Sequence, residues 1–207
     1  MFELELAILV GIITGVLGPV LVTRYKFYLE SKKLKVDPLV TSIKSSMLVN
    51  EQLDEIREEL KSCRVWVSQF HNGGGFYPTG QSIQKFSICY ENTKPGTTSI
   101  GEIYKNIPVS LFTKPFMSLY EDKEILIPNY TKEDKFNLST FADGTNSKSA
   151  YLFALFSLKE EFIGTLGVEY CTRAKTLSED QLNYVRDKSI TIGTLLSTYL
   201  YNTTKNK

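Results

Sequence analysis

The chain has 207 residues, 42% of them hydrophobic and 12% aromatic, and a formal net charge of +1. That length suits one domain with accessories, and that apolar content builds a packed core. Near-neutral charge, with no basic stripe interleaved with aromatics, excludes nucleic acid as a partner.

The first element is "LAILVGIITGVLGPVLV", Leu6 to Val22, which carries no charge. As a helix it spans about 25 Å, close to the roughly 30 Å of a bilayer core. Glu3 and Glu5 precede it where a signal peptide would be basic, whereas Arg24, Lys26, Lys32, Lys33 and Lys35 follow it. The positive-inside rule then predicts a transmembrane anchor over 1–24, single-pass, with the soluble domain in the cytoplasm and the lipid bilayer as a partner. Gly11, Gly15 and Gly18 form a small-residue face on which two such helices could meet, predicting a homodimer.

A helical stalk is expected over 25–62. Asp37-Pro38 reads as its restart, with Asp as cap and Pro in the first turn. Val49, Leu53, Ile56, Leu60 and Cys63 recur at spacings of four and three, so they share one face. Two readings stay open: a helix packed on its own domain, or a parallel two-helix stalk.

Residues 63–200 change pattern. "RVWVSQFH", "KFSICYE", "EILIPNY" and "SAYLFALFSLKEEFIGTLGVEYC" read as strands, the last a hairpin turning at Lys159–Glu161. Pro108 and Pro115 cut the stretch between into short pieces, and Asn137 to Ser149 reads as a polar loop, a lid. Ser178 to Gln181 is an S-x-x-Q capping box opening a last helix, with Leu182, Val185, Ser189, Ile192, Leu196 and Tyr199 on one face. The fold class is therefore α+β: an antiparallel sheet flanked by helices, ending in a flexible tail over 201–207. Cys63, Cys89 and Cys171 form no CxxC pair and read as reduced, buried thiols rather than a disulfide framework. With His71 as the one histidine, no metal site and no cofactor are expected.

Three stretches resemble the GAF domains, relatives of PAS domains. "EILIPNY" resembles the strand that ends in Ile-Pro-Asp before an exposed loop, with Asn129 in place of the acid. "SKSAYLFALF" is similar to the polar lead-in and apolar strand that follow, and "EEFIGTLGVEY" with "LSEDQLNYVRDKSITIGTLL" to the Gly-Thr-Leu strand and terminal helix. The resemblance covers about residues 50–200. It implies a sensory or regulatory module whose small-molecule pocket lies between sheet and covering helices. The cysteine setting of tetrapyrrole-binding members is missing, as is the signature of cyclic-nucleotide binders, so the resemblance names no ligand.

"FHNGGGFY", Phe70 to Tyr77, joins a strand to a glycine loop without the G-K-[ST] ending of a phosphate cradle. Nucleophilic catalysis at His71 needs a serine or cysteine and an orienting acid; Ser68, Ser87 and Cys89 are the neighbours that could approach across the strands. The preferred ligand-binding residues are His71, Asn72, Phe76 and Tyr77, a polar pair with two aromatics suited to a planar or sugar-like ligand, followed by Asn129 and Tyr151.

Together these features describe a membrane-anchored, non-enzymatic sensor or adaptor that binds a small molecule or protein partner. The alternative is lysis control, because the terminal strand and helix also resemble the T-type holins of large tailed bacteriophages. In those proteins the soluble domain lies in the periplasm, against the orientation argued here.

Overall fold

The structure is a computed structural model that describes residues 15, 17–32, 37–76, 78–132, 136 and 138–204. The chain divides into two compact units, 1–40 and 41–207.

In the first unit, helix α1 spans Gly18–Lys32. It takes in Arg24, Lys26, Glu30 and Lys32, and leaves Leu21 66% and Phe27 74% exposed. Leu6 to Thr14 and Val16, most of the expected span, lie outside the described residues, as does Gly11; Gly15 and Gly18 stand at the start of the helical stretch. Among the described residues no helix is long and apolar enough to cross a membrane. The single-pass membrane localisation expected from the sequence is corrected accordingly: the helix that forms there absorbs the charged flank instead of ending before it.

Helix α2, Pro38–Leu60, starts as its sequence predicts, with the Leu39 N–H donating to Asp37 Oδ1 at 2.8 Å. Its stripe of Val49, Leu53, Ile56 and Leu60 is at most 1% exposed. These residues are core, so the final turns of the expected stalk pack on their own domain. The helix stops at Lys61, whose φ of 51° is left-handed.

The sheet contains β1 (Arg64–Gly75), β2 (Ser82–Thr93), β3 (Ile107–Pro108), β4 (Glu124–Ile127), β5 (Ser149–Phe156) and β6 (Phe162–Tyr170) in the order β3-β2-β1-β6-β5-β4. Every pairing is antiparallel. A 3-10 turn, Val109–Phe112, leads into α3 (Thr113–Asp122), which tolerates Pro115 in its first turn. The expected polar loop holds a short helix, α4 (Ser139–Thr145), because its Leu138 and Ala142 have an apolar surface to bury against. The last helix, α5 (Glu179–Thr204), opens with the expected capping box: Gln181 N–H donates to Ser178 Oγ at 3.3 Å, and Ser178 N–H to Gln181 Oε1 at 3.1 Å.

Both faces of the sheet are covered. On one, Val65 and Val67 of β1, Tyr151, Phe153 and Leu155 of β5, and Leu166 and Val168 of β6 meet α2 and the Leu182, Val185, Ile192 and Leu196 stripe of α5. The side chain of Tyr199 lies outside the described ones. A Cβ on Gly193 would lie 2.4 Å from the Phe156 carbonyl oxygen, so only glycine lets α5 sit this close to β5. On the other face, alternate residues meet α3, α4 and the 3-10 turn. A bulge in β2 sorts its side chains between the two: Tyr90 pairs with Val67 and Ile88 with Ser68, leaving Cys89 unpaired and exposed.

The cysteine expectation is also corrected. Cys63 and Cys171 form a disulfide with Cα atoms 5.9 Å apart. Cys63 enters β1 where Cys171 leaves β6, and the register of Arg64 opposite Glu169 brings them together. A separation of 108 residues in the chain conceals that proximity from the sequence.

Candidate ligand pocket

Between the second face of the sheet and the 3-10 turn, α3 and α4 lies a partly open cavity of about 90 Å3. Its wall is aromatic, with Trp66, Phe86, Tyr104, Phe112, Phe116 and Tyr130. Phe86 meets Phe112 and Phe116 edge-on at centroid distances of 5.3 and 5.1 Å. Such pairing adds about 0.5–1.5 kcal/mol per contact and holds the wall rigid.

The strands that floor the cavity carry a buried ionic cluster. Arg64 is 0% exposed. It donates to Glu169 Oε2 at 2.6 Å and to the carbonyls of Thr98 at 2.6 Å and Thr145 at 3.3 Å, while its Nε faces Glu91 Oε1 at 3.4 Å. One guanidinium thus ties the sheet to the loop before β3 and to α4. Trp66 Nε1 donates to Glu169 Oε1 at 2.7 Å. A Cβ on Gly167, opposite Trp66 in the register, would lie 2.2 Å from the indole, so the glycine lets the ring lie flat on the sheet and reach Glu169.

Two carboxylates therefore share one guanidinium. Glu91 is further occupied by the N–H groups of Ile100 at 2.8 Å and Gly101 at 3.0 Å and by the Ser99 hydroxyl at 2.5 Å. The negative excess is felt at Tyr104, whose phenol is pushed up to about 12 by burial first and by Glu169 second, with Arg64 opposing. The cavity hydroxyls differ in their commitments. Thr145 donates to the Ala142 carbonyl and Ser147 to that of Ser149, whereas Thr165, 2% exposed, has no hydrogen-bond partner.

The residues preferred from the sequence lie elsewhere. His71 Nε2 is 2.9 Å from Ser87 Oγ, so the histidine does meet one of the serines that could approach it. Its other ring nitrogen faces the Asn72 carbonyl at 3.3 Å, not a carboxylate, and Ser87 Oγ accepts from the Asn106 N–H at 2.8 Å. The pair fastens a loop to β2. Asn72 and Phe76 are exposed at the β1–β2 turn, closed by hydrogen bonds between Phe76 and both Gly80 and Gln81. Tyr77 lies outside the described residues. Asn129 caps its own turn, accepting from the Thr131 N–H at 2.9 Å. Tyr151 points to the helix-covered face, donating to the Lys175 carbonyl at 2.6 Å. None of these five described residues lines the cavity; His71 leaves β1 on the face opposite Trp66 and Ser68, Asn129 follows β4 and Tyr151 stands on β5. Arg64 and Glu169 had a sequence signal: a charge inside an apolar strand must find a buried partner. No cysteine lines the cavity, and among the described residues no group of three or more His, Cys, Asp or Glu could hold a metal ion.

No protein-family model matches the chain, and no curated protein does. Solved structures do. A phycocyanobilin-bound GAF domain from a cyanobacterial phytochrome superposes with a TM-score of 0.61 at 14% identity, covering 82% of this chain and 98% of that one. The PixJ GAF domain of Thermosynechococcus elongatus gives 0.60 at 11%, covering 81% and 93%. The GAF3 domain of Slr1393 from Synechocystis sp. PCC6803 gives 0.59 at 13%, covering 79% and 99%. The comparisons lend no support to a lipid-bilayer partner, to a homodimer or to the holin resemblance. The six-stranded antiparallel sheet with its flanking helices has the GAF fold.

Proposed function

We propose that the protein is a non-enzymatic, GAF-like sensor or adaptor that takes a small molecule into the cavity behind β1 and β6 and passes the bound state to another protein. The aromatic cavity between the sheet and its covering helices carries this reading. Support comes from the structural neighbours, one of which is phycocyanobilin-bound. Here the free cysteine lies on an exposed bulge and the other two are bonded to each other, so a ligand is held without a thioether. The cavity is also smaller than the usual ligand pocket of roughly 300–1,000 Å3, which limits a ligand to about one ring unless the covering helices move. Arg64 gives the output a route, because its carbonyl partners at Thr98 and Thr145 belong to the cover over the cavity.

Thermal unfolding of the full chain against a library of single-ring compounds tests the reading. A binder at a hundred times its Kd stabilises by about 2.7 kcal/mol. Ala142→Leu, which fills the cavity from α4, should abolish that response. A library without any stabilising member, or one that stabilises Ala142→Leu equally, overturns the proposal.

A further inference from the structure

The Cys63–Cys171 disulfide joins the start of β1 to the end of β6, beside the buried ion pair of the candidate pocket. Arg64 follows Cys63 in the chain, and its partner Glu169, at 2.6 Å, stands two residues before Cys171. Three hydrogen bonds cross the same junction. The Cys63 N–H donates to the Glu169 carbonyl at 3.0 Å, and the Leu60 carbonyl accepts from the Tyr170 hydroxyl at 3.0 Å and from Lys175 Nζ at 2.8 Å. These contacts do not depend on the covalent bond, so the corner of the fold is held together when that bond opens.

The two sulfurs are not equivalent. Cys63 is 8% exposed, and its Sγ lies 3.1 Å from the Glu169 carbonyl oxygen. Cys171 is half-buried and leads into an exposed bend, Thr172 to Ala174, so it is the sulfur nearer to solvent. Cations gather at this end of the sheet. Lys61 precedes Cys63 by two residues, Arg173 follows Cys171 by two, and Lys175 Nζ lies over the Tyr170 ring at 4.9 Å. Burial first, then the charges of Lys61 and Arg173, hold the Lys175 ammonium below its ordinary value, so the three cations share one field. Among the described residues none of the three forms an ion pair. Glu58, whose carbonyl accepts the Lys61 N–H, turns its carboxylate to Arg57 at 2.6 Å. Positive charge beside a disulfide attracts the thiolate that attacks it and stabilises the thiolate that leaves.

We infer that Cys63–Cys171 is a thiol–disulfide exchange site for a small anionic thiol, attacked at Cys171 and coupled to the pocket through Arg64 and Glu169. The small thiolate forms a bond to Cys171 Sγ, the bond between the two protein sulfurs breaks, and its electron pair leaves with Cys63. The Cys63 thiolate takes a proton from water, and the thiol has the Glu169 carbonyl within reach as acceptor. A second small thiolate attacks the sulfur of the bound one, releasing Cys171 as thiolate and leaving as the oxidised small-molecule disulfide. Two small thiols are thereby oxidised and the protein pair is reduced. The ends of β1 and β6, where Arg64 and Glu169 pair, lose their covalent tie. This chemistry stands whether or not the cavity takes a ligand.

The test uses the full chain with Cys89→Ser, which removes the exposed free thiol. Under native conditions it is treated with 2-mercaptoethanesulfonate, 2-mercaptoethanol or 2-mercaptoethylamine at equal thiolate concentration; the three share one thiol skeleton and carry an anionic, a neutral and a cationic tail. Rapid alkylation and peptide mass mapping follow the pair. The sulfonate should react roughly fivefold faster than the alcohol and the amine slower still, and about 1 M salt should erase most of the difference. The early adduct should sit on Cys171. Lys61→Gln combined with Arg173→Gln, both exposed positions, should remove the advantage of the sulfonate over the alcohol. Full reduction should shift the indole N–H resonance of Trp66, the sole tryptophan, because that N–H donates to Glu169. Reaction only under denaturant, an early adduct on Cys63, equal rates for the three tails, an advantage of the sulfonate that survives the double substitution, or an indole unmoved by reduction overturns the inference.

Discussion

The two faces of one sheet are built on different principles. Toward α2 and α5 the strands present valine, leucine, phenylalanine and tyrosine, and the two helices meet them with aliphatic side chains at most 7% exposed. Toward α3 and α4 the same strands present Arg64, Trp66, Ser68, Thr165 and Glu169, and the cover leaves a cavity. Alternation along β1 and β6 forces this division, since successive side chains leave on opposite sides. One face is close-packed and says nothing about chemistry. The other holds charge, hydroxyls and a cavity, the features of the candidate site.

Three experiments sharpen or break that contrast, the largest effect first. Arg64→Leu strands two carboxylates without their cation and should lower stability by about 3–5 kcal/mol, visible as a shifted urea midpoint. A loss under 1 kcal/mol would mean that the cluster is hydrated. Leu53→Ala, on the packed face, should have a comparable or slightly smaller effect, about 2–5 kcal/mol, yet leave the ligand affinity of the folded protein unchanged; a changed affinity would show that the faces are not independent. The smallest effect is alkaline. Burial and Glu169 raise the Tyr104 phenol to about 12 from an ordinary value of 10, so its neutral form is favoured by folding. That contribution is complete below pH 10 and is lost as pH rises through 12. Tyr104→Phe should flatten part of the stability decline over that window, measured by unfolding at stepped pH. An unchanged slope would place Tyr104 outside the negative field of the pocket.

The same contrast separates what could be read locally from what could not. The Val49 to Leu60 stripe, the alternation in the strands, the hairpin at Lys159–Glu161 and the Ser178 capping box are periodic or adjacent signals, and each appears where the pattern puts it. The site was not legible in this way. "FHNGGGFY" drew attention through rare residues in a row, but composition does not say which face of β1 a side chain leaves from, and His71 finds Ser87 instead of a cavity. Tyr151 was one residue out of phase with the pocket-lining Leu152. The Asn137–Ser149 stretch looked like a loop because its apolar residues are few, and it holds a helix at which Leu138 and Ala142 are buried.

By itself the sequence determined the class of fold, the helix that opens the domain, the hairpins and the cap of the last helix, because those depend on neighbours within a few residues. Only the tertiary structure decided the candidate site, the disulfide and the partner of each buried charge. Arg64 meets Glu169 across 105 residues and Cys63 meets Cys171 across 108. Pairings over such distances depend on strand order and register, and only the folded sheet sets those.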